Sequence, residues 1–226
     1  MALTYRDQPS NPDSTRLKPC HLPLHPRGVP GTQETLSMTD VARITAIHES
    51  GHFLVGYRMN WYHGMVSIET DHAAGTEGHC QQEDSHWNAE QGQDQVTALC
   101  AGYAAVVASG IDHEIAIQGC ESDFEKALEI IDFWELPSLE EQKASAVEWM
   151  RDDKNRKAVE AVADELMIKK TVHSELLDVI VEHADGECTD EELERIRWFL
   201  DRQNRELREK QALVQTAHLE DRQATD

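Results

Sequence analysis

Long apolar runs are scarce in this chain of 226 residues. The run of lowest charge, from Val96 to Ile111, is short for a membrane span and is interrupted by Thr97, Gly102 and Ser109. The first thirty residues contain no apolar core of the kind that a secretory signal needs. We therefore expect a soluble protein that does not associate with a membrane.

Basic residues are also few. The chain holds 21 lysines and arginines against 43 aspartates and glutamates, which gives a formal net charge of −22 at pH 7. A surface of this sign repels the phosphate backbone of DNA and RNA, and no basic stripe in the sequence offsets it. The composition therefore excludes nucleic acid as an expected partner.

Closely spaced cysteine pairs are absent. The cysteines are widely separated and odd in number, and none forms a C-x-x-C motif. This spacing is typical of reduced thiols in a cytoplasmic protein rather than of a disulfide framework. Cys20, His21 and His25 could form a metal site, but their proline-rich surroundings disfavour it. The five cysteines are Cys20, Cys80, Cys100, Cys120 and Cys188.

Proline is almost confined to the N-terminal region. Six of the seven prolines lie in the first thirty residues, where apolar residues show no periodicity. We predict a disordered arm over residues 1–36, one folded domain over residues 37–200 and a charged helical extension or tail over residues 201–226. The arm could cover a cleft as a pro-segment, but a plain disordered extension is the preferred interpretation.

The most specific pattern in the chain is an H-E-x-x-H motif, which consists of His48, Glu49 and His52 with two intervening residues. Imidazoles four residues apart lie on the same face of a helix, where both can bind one Zn²⁺ ion. Glu49 can then serve as the general base of a metallopeptidase. The alternative is that both histidines are ordinary surface or buried side chains.

The residues around this motif predict the helix that it requires. Ser37 is a candidate N-cap with Asp40 three residues later, which is the spacing of a capping box. Apolar side chains then recur at spacings of three, four and seven between Val41 and Val55. We expect this helix to end near Arg58.

A small sheet and further helices are expected after this helix. Met65 to Thr70 alternates apolar and polar side chains, and a second strand is predicted over Thr76 to Gln82, so the two strands can pair antiparallel. Small residues at helical spacing from Asn88 to about Ser109 predict a closely packed helix.

The second half of the chain is predicted to be nearly all helix. Ser122, Ser138 and Thr189 are each followed three residues later by a glutamate, which is the spacing of a capping box, and apolar residues at helical period come next. The predicted fold class is therefore mainly α with a small β-sheet, an α+β fold.

Family motifs are recognisable in three segments, which are Ala46-Ile47-His48-Glu49-Ser50-Gly51-His52-Phe53, Leu99-Cys100-Ala101-Gly102-Tyr103-Ala104-Ala105 and Gly119-Cys120-Glu121-Ser122-Asp123-Phe124-Glu125-Lys126-Ala127. In this order they resemble the A-x-H-E-A-G-H-A, L-x-G-G-R-A-A-E and G-A-x-x-D-L-x-x-A-T stretches of the FtsH-like zinc peptidases, the M41 family. The resemblance covers about residues 38–200 and implies an M41-like zincin peptidase domain. It also implies that Asp123 is the third zinc ligand beside His48 and His52.

The sequence departs from this family at several points. Val106 replaces the acidic residue that closes the second motif. No phosphate-binding G-x-x-x-x-G-K-[ST] loop is present, so we do not expect the ATP-driven unfoldase for which the family is known. Asp112, His113 and Glu114 are alternative sources of the third ligand, but they lack the Gly-x-x-x-Asp context, so Asp123 is preferred.

The residues and the resemblance together predict a soluble, ATP-independent zinc endopeptidase that hydrolyses unfolded or extended polypeptides. Such a substrate can add to the edge of a strand within residues 65–82, where His79 could hydrogen-bond the oxyanion. His63, His72 and His86 in the same region are expected to be solvent-facing or structural. Two alternatives stay open, a catalytically idle zinc-binding interaction module and a peptidase subunit that depends on a separate ATPase. A homo-oligomer is a further candidate.

Overall fold

The computed structural model describes residues 37–61, 63–69, 78–82 and 88–224. The predicted disordered arm, the candidate site at Cys20, and His72 and His86 lie outside the described residues. The helices are α1 Met38–Arg58, α2 Ala89–Ala108, α3 His113–Ala116, α4 Glu121–Trp134, α5 Leu139–Met150, α6 Asp153–Lys169, α7 Ser174–Ala184 and α8 Asp190–Ala224. The strands are β1 His63–Ser67, β2 His79–Gln82 and β3 Thr171–His173.

Helix α1 has the limits that the sequence predicted. The hydroxyl of Ser37 accepts a hydrogen bond from the backbone N–H of Asp40 at 3.2 Å, and the Asp40 carboxylate accepts one from the backbone N–H of Ser37 at 3.0 Å. This reciprocal capping box satisfies N–H groups that a helix start leaves unpaired. The last residue of the helix is Arg58, as expected.

Two of the three downstream capping boxes are confirmed. Ser138 and Thr189 each accept a hydrogen bond from the backbone N–H of the glutamate three residues later, and that glutamate accepts one in return. The prediction at Ser122 is wrong, because α4 already begins at Glu121 with Cys120 as its N-cap. The Glu121 carboxylate accepts the backbone N–H of Gly119 at 3.1 Å, which favours the earlier start.

The three strands form one antiparallel sheet in the order β2-β1-β3. The predicted pairing of the first two strands is confirmed, but β1 begins two residues earlier than expected and ends at Ser67 rather than Thr70. Beyond it, the backbone N–H of Ile68 bonds to the carbonyl of Lys170 at 2.8 Å. The third strand, which the sequence did not predict, pairs with β1 from Met65 to Ser67.

Helix α1 occupies the centre of the helical layers. It packs against α2 on one side and α6 on another, and α2 packs in turn against α4 and α5. Phe53 and Leu54 of α1 are among the largest fully buried side chains. At Gly51 an added Cβ would lie 2.5 Å from the backbone oxygen of Ala101, so glycine is what permits this close helix contact.

The described part of the chain agrees with the mainly α class with a small sheet. Helix α8 runs without interruption across the predicted domain limit at residue 200 as far as Ala224. None of the helices in the described residues combines the length and apolar content that a membrane span requires.

Candidate metal centre

The H-E-x-x-H motif lies in the most deeply buried part of α1. His48, Glu49 and His52 retain 6%, 3% and 8% of their accessible surface. Burial of three ionisable side chains on one helix costs free energy unless they have partners of matching charge or hydrogen-bonding capacity. The partners come from two other helices.

Asp123, in the first turn of α4, brings a carboxylate to both imidazoles. Its Oδ2 lies 3.6 Å from Nε2 of His48 and 3.3 Å from Nε2 of His52, and the two Nε2 atoms are 3.0 Å apart. Ligand atoms bound at about 2.0–2.1 Å around a tetrahedral zinc ion lie about 3.3 Å from one another. The three ligand atoms are therefore spaced like three corners of a zinc coordination tetrahedron. Among the described residues, His48, His52 and Asp123 form a group of potential metal ligands.

The other ring nitrogen of each histidine is turned away from this face. Nδ1–H of His52 donates to the backbone carbonyl of Ala98 on α2 at 2.8 Å. Nδ1 of His48 faces the sulfur of Cys120 at 4.0 Å. A hydrogen bond at Nδ1 leaves the lone pair of Nε2 for a metal ion.

Gly102 of α2 forms the wall behind the two imidazoles. A Cβ at this position would lie 2.5 Å from Cε1 of His48 and 2.6 Å from Nε2 of both His48 and His52. These distances are below any van der Waals contact, so a side chain here would displace the ligand atoms. The fit of a metal ion at this site depends on that missing methyl group.

The charges in the cluster support one another. Burial lowers the pKa of His52, but the charge and hydrogen bond of Asp123, the charge of Glu49 and the Ala98 carbonyl together outweigh burial and raise this pKa to about 9. Burial raises the pKa of Asp123, but the charge of His52 and the close approach of both imidazoles outweigh it, so the pKa of Asp123 lies well below its usual range. An anionic carboxylate beside two imidazoles attracts a cation, and a metal ion would compete with the proton for His52.

Glu49 stands next to this group without being one of its ligand side chains. Burial raises the pKa of Glu49, and the charges of His48 and His52 oppose that increase. A Cβ at Gly78, just before β2, would lie 3.0 Å from Oε1 of Glu49. The start of β2 therefore borders the carboxylate, and His79 is near enough for its charge to act on the pKa of Glu49.

The alternative third ligands have other structural roles. Asp112 is the exposed N-cap of α3 and accepts from the backbone N–H of Glu114 at 2.8 Å. Nδ1 of His113 lies 2.7 Å from the hydroxyl of Tyr103. His63, on β1, places Nε2 2.7 Å from Asp178 of α7, which agrees with the structural role expected for it.

Three groups that surround the candidate ligands were not predicted from the sequence. The Ala98 carbonyl, Gly102 and Cys120 all contact or face an imidazole. Gly102 carried a signal, because it falls in the second motif of the M41 resemblance, whereas the carbonyl and the sulfur carried none.

Comparison with protein-family models finds no model that matches this chain. Comparison with curated protein sequences finds no matching protein. The functional interpretation therefore depends on the motifs of the chain and on the geometry of the buried cluster.

Proposed function

We propose that this chain is a soluble, cytoplasmic, ATP-independent zinc endopeptidase with an M41-like peptidase domain. The observation that carries the proposal is the buried group of His48, His52 and Asp123 with Glu49 beside it. A purely structural metal site has no physical need for a fourth, non-ligating carboxylate in its interior, whereas hydrolysis requires a base there.

The donor set favours zinc. Two imidazole nitrogens and one carboxylate oxygen are borderline ligands of the kind that zinc takes in catalytic sites, where a fourth position stays open. When bound, the ion supplies a Lewis acid that polarises a substrate carbonyl and lowers the pKa of water.

Glu49 performs the proton transfers in this proposal. Its carboxylate accepts a proton from the attacking water and then delivers it to the nitrogen of the leaving amine. Burial raises the pKa of Glu49, which makes the carboxylate a stronger base than an exposed glutamate. The histidines and Asp123 hold the ion within reach, and Gly102 leaves room for their imidazoles.

The sheet supports the choice of substrate class. In the order β2-β1-β3, β2 has one neighbour, and within the described residues no strand lies along its other edge, where an extended chain could add. Because the start of β2 borders Glu49, an extended polypeptide on this edge would pass the base. Main-chain pairing ignores side-chain identity, so we expect broad specificity for unfolded polypeptides.

Glu49→Gln tests this proposal. The purified wild type, loaded with zinc, is expected to cleave unfolded casein, and the variant is expected to bind an equal amount of zinc and to show no cleavage, because glutamine cannot accept the proton. Glu148→Gln is the matched control, since the Glu148 side chain is exposed on α5 and pairs with Arg151 at 3.7 Å. Its activity should equal that of the wild type.

The opposite results assign a different function. If the wild type and both variants hold one zinc ion per chain and none cleaves casein, the chain is a zinc-binding interaction module. If cleavage by the wild type requires an added ATPase, the chain is the peptidase subunit of a larger assembly. Equal cleavage by the wild type and Glu49→Gln would exclude the role of Glu49 as base.

A further inference from the structure

Cys120 lies at the junction of α3 and α4, directly behind one of the candidate ligands. It keeps 1% of its accessible surface, and its sulfur is 4.0 Å from Nδ1 of His48. In the M41 motif that this segment resembles, alanine occupies the corresponding position. The sulfur is therefore a feature of this chain rather than of the motif.

The orientation of the thiol directs its proton away from the histidine. Cys120 donates its S–H to the backbone carbonyl of Ala116 at 3.1 Å. With the proton committed to that carbonyl, the lone pairs of the sulfur are left for an N–H donor. The donor that faces them is Nδ1 of His48.

Each imidazole of the motif needs a hydrogen-bond acceptor for its Nδ1–H if its Nε2 is to bind a metal ion. A metal-binding histidine usually donates its second ring N–H to an acceptor, which fixes the tautomer and the orientation of the ring. For His52 that acceptor is the Ala98 carbonyl at 2.8 Å. For His48 the sulfur of Cys120 stands at the equivalent place.

We propose that Cys120 is a positioning residue for His48, whose Nδ1–H donates to the sulfur so that Nε2 is held toward His52 and Asp123. This inference rests on the proposed metal centre. Cys120 does not act as a ligand itself, because the sulfur faces Nδ1, on the side of the ring away from the three grouped ligand atoms.

The first measurement is the tautomer of His48 in the metal-free protein, obtained from nitrogen chemical shifts of ¹⁵N-histidine. The wild type should carry its proton on Nδ1. Cys120→Ala and the similarly sized Cys120→Val both lack the acceptor and should show a mixture of tautomers, and Cys120→Ser should restore the wild-type state. Valine keeps the experiment valid if the smaller alanine leaves a cavity that prevents folding.

The second measurement is zinc affinity, determined by competition with a chromophoric chelator. Cys120→Ala and Cys120→Val should bind zinc about 10-fold more weakly, because support of this kind typically changes affinity by about 10-fold to 100-fold. Cys120→Ser should stay within about threefold of the wild type. Cys100→Ala is the matched control, since Cys100 is fully buried on α2, and its affinity should be unchanged.

The proposal is overturned if Cys120→Ala and Cys120→Val keep the wild-type tautomer and bind zinc as tightly as Cys100→Ala. It is also overturned if the cobalt-substituted wild type shows a thiolate charge-transfer band that Cys120→Ala lacks, because Cys120 would then be a ligand. If the wild type binds no zinc, the proposed function fails, and the tautomers of the metal-free proteins still decide this inference.

Discussion

At Gly102 one hydrogen atom in place of a methyl group decides whether α2 can lie against the two imidazoles. The helix needs this approach for a second reason, because the Ala98 carbonyl one turn earlier accepts the Nδ1–H of His52. A glycine in a helix interior costs about 1 kcal/mol relative to alanine. At Gly102 this cost is accepted because a side chain would overlap the imidazoles of His48 and His52.

Gly102→Ala is therefore expected to weaken zinc binding by more than about tenfold, because the new Cβ would displace the ligand nitrogens. The measurement is zinc affinity by chelator competition. Gly92→Ala is the control on the same helix, because its Cβ would meet the Trp134 side chain at 2.6 Å instead. That variant should lose stability and retain zinc, and undiminished zinc binding by Gly102→Ala would contradict the close packing inferred here.

Asp123→Asn distinguishes the preferred third ligand from its rivals. Loss of the anionic oxygen is expected to lower zinc affinity by at least about 100-fold. In the metal-free protein, the pKa of His52 should fall from about 9, because the charge of Asp123 no longer opposes the effect of burial. Proton NMR titration measures this change.

Asp112→Asn is the matched control for that experiment. Asparagine caps a helix about as well as aspartate, so α3 should remain stable and zinc binding should be unchanged. A variant at Asp112 that loses zinc while Asp123→Asn retains it would reverse the assignment of the third ligand.

Some residues of the candidate site could be predicted from the sequence, and others could not. His48, Glu49 and His52 were predictable because a helix brings residues four apart to one face by its own periodicity. Asp123 is far along the chain, so no local rule places it there, and the family resemblance supplied it. The contact of Cys120 with His48 depends on how α3 and α4 meet, which sequence periodicity does not encode.

At the scale of elements, predictions succeeded where the determining interactions are local. Helices α1, α2 and α5 each begin at an N-cap whose hydrogen bond reaches three residues along the chain. All three starts were predicted. Strand β3 has three residues and no alternation long enough to detect, and it forms because β1 offers it a partner. Its existence is a tertiary effect.

Three helices are joined at Asp185, the C-cap of α7. Its carboxylate accepts hydrogen bonds from Arg58 at the end of α1, one of them at 2.8 Å, and lies 3.2 Å from Nζ of Lys154 in α6. The Asp185 side chain is 1% exposed, so these two cations replace its lost water. Burial raises the pKa of Asp185, but the hydrogen bonds from Arg58 and Lys154 outweigh it and lower the pKa below 3.8.

Asp185→Asn is expected to reduce the free energy of unfolding at pH 7 by about 2–4 kcal/mol, since Arg58 loses its anionic partner. The lowered pKa means that the charge contributes fully above pH 3.8 and is lost as the pH falls through the folded-state value. Urea unfolding between pH 7 and pH 3 should show the difference from the wild type shrinking at the acidic end. Asp153→Asn, at an exposed position, should change stability little, and a pH-independent difference for Asp185→Asn would contradict this account.

In the whole molecule, the candidate ligands come from parts of the chain that are distant in sequence. His48 and His52 belong to α1, Asp123 belongs to α4, and α2 lies between these helices and supports both imidazoles. The site is therefore complete only when this three-helix group is assembled. The sequence predicted each helix, but it did not predict their arrangement, because that depends on packing between distant segments.

Helix α8 contacts the fold through its first part and is exposed over residues 201–210. Its first part packs on α7, and Arg197 donates to the buried Glu165 of α6 at 2.6 Å. The next contact along α8 is the ion pair between Lys169 of α6 and Asp201. Every side chain from residue 201 to residue 210 is exposed, including Leu207.

Leu207→Ala should therefore lower the free energy of unfolding by less than about 1 kcal/mol, because Leu207 is 54% exposed and buries little apolar surface on the fold. Urea unfolding followed by circular dichroism measures the change, and casein cleavage should be unaffected. Arg197→Ala is the contrasting variant, since it removes the nearer of the two cations beside the buried Glu165 and leaves Lys169 at 3.8 Å, and it should cost about 1–3 kcal/mol. A larger loss for Leu207→Ala, accompanied by a lower mass in sedimentation at the same concentration, would show instead that this part of α8 joins two copies of the chain, because such a contact would bury Leu207.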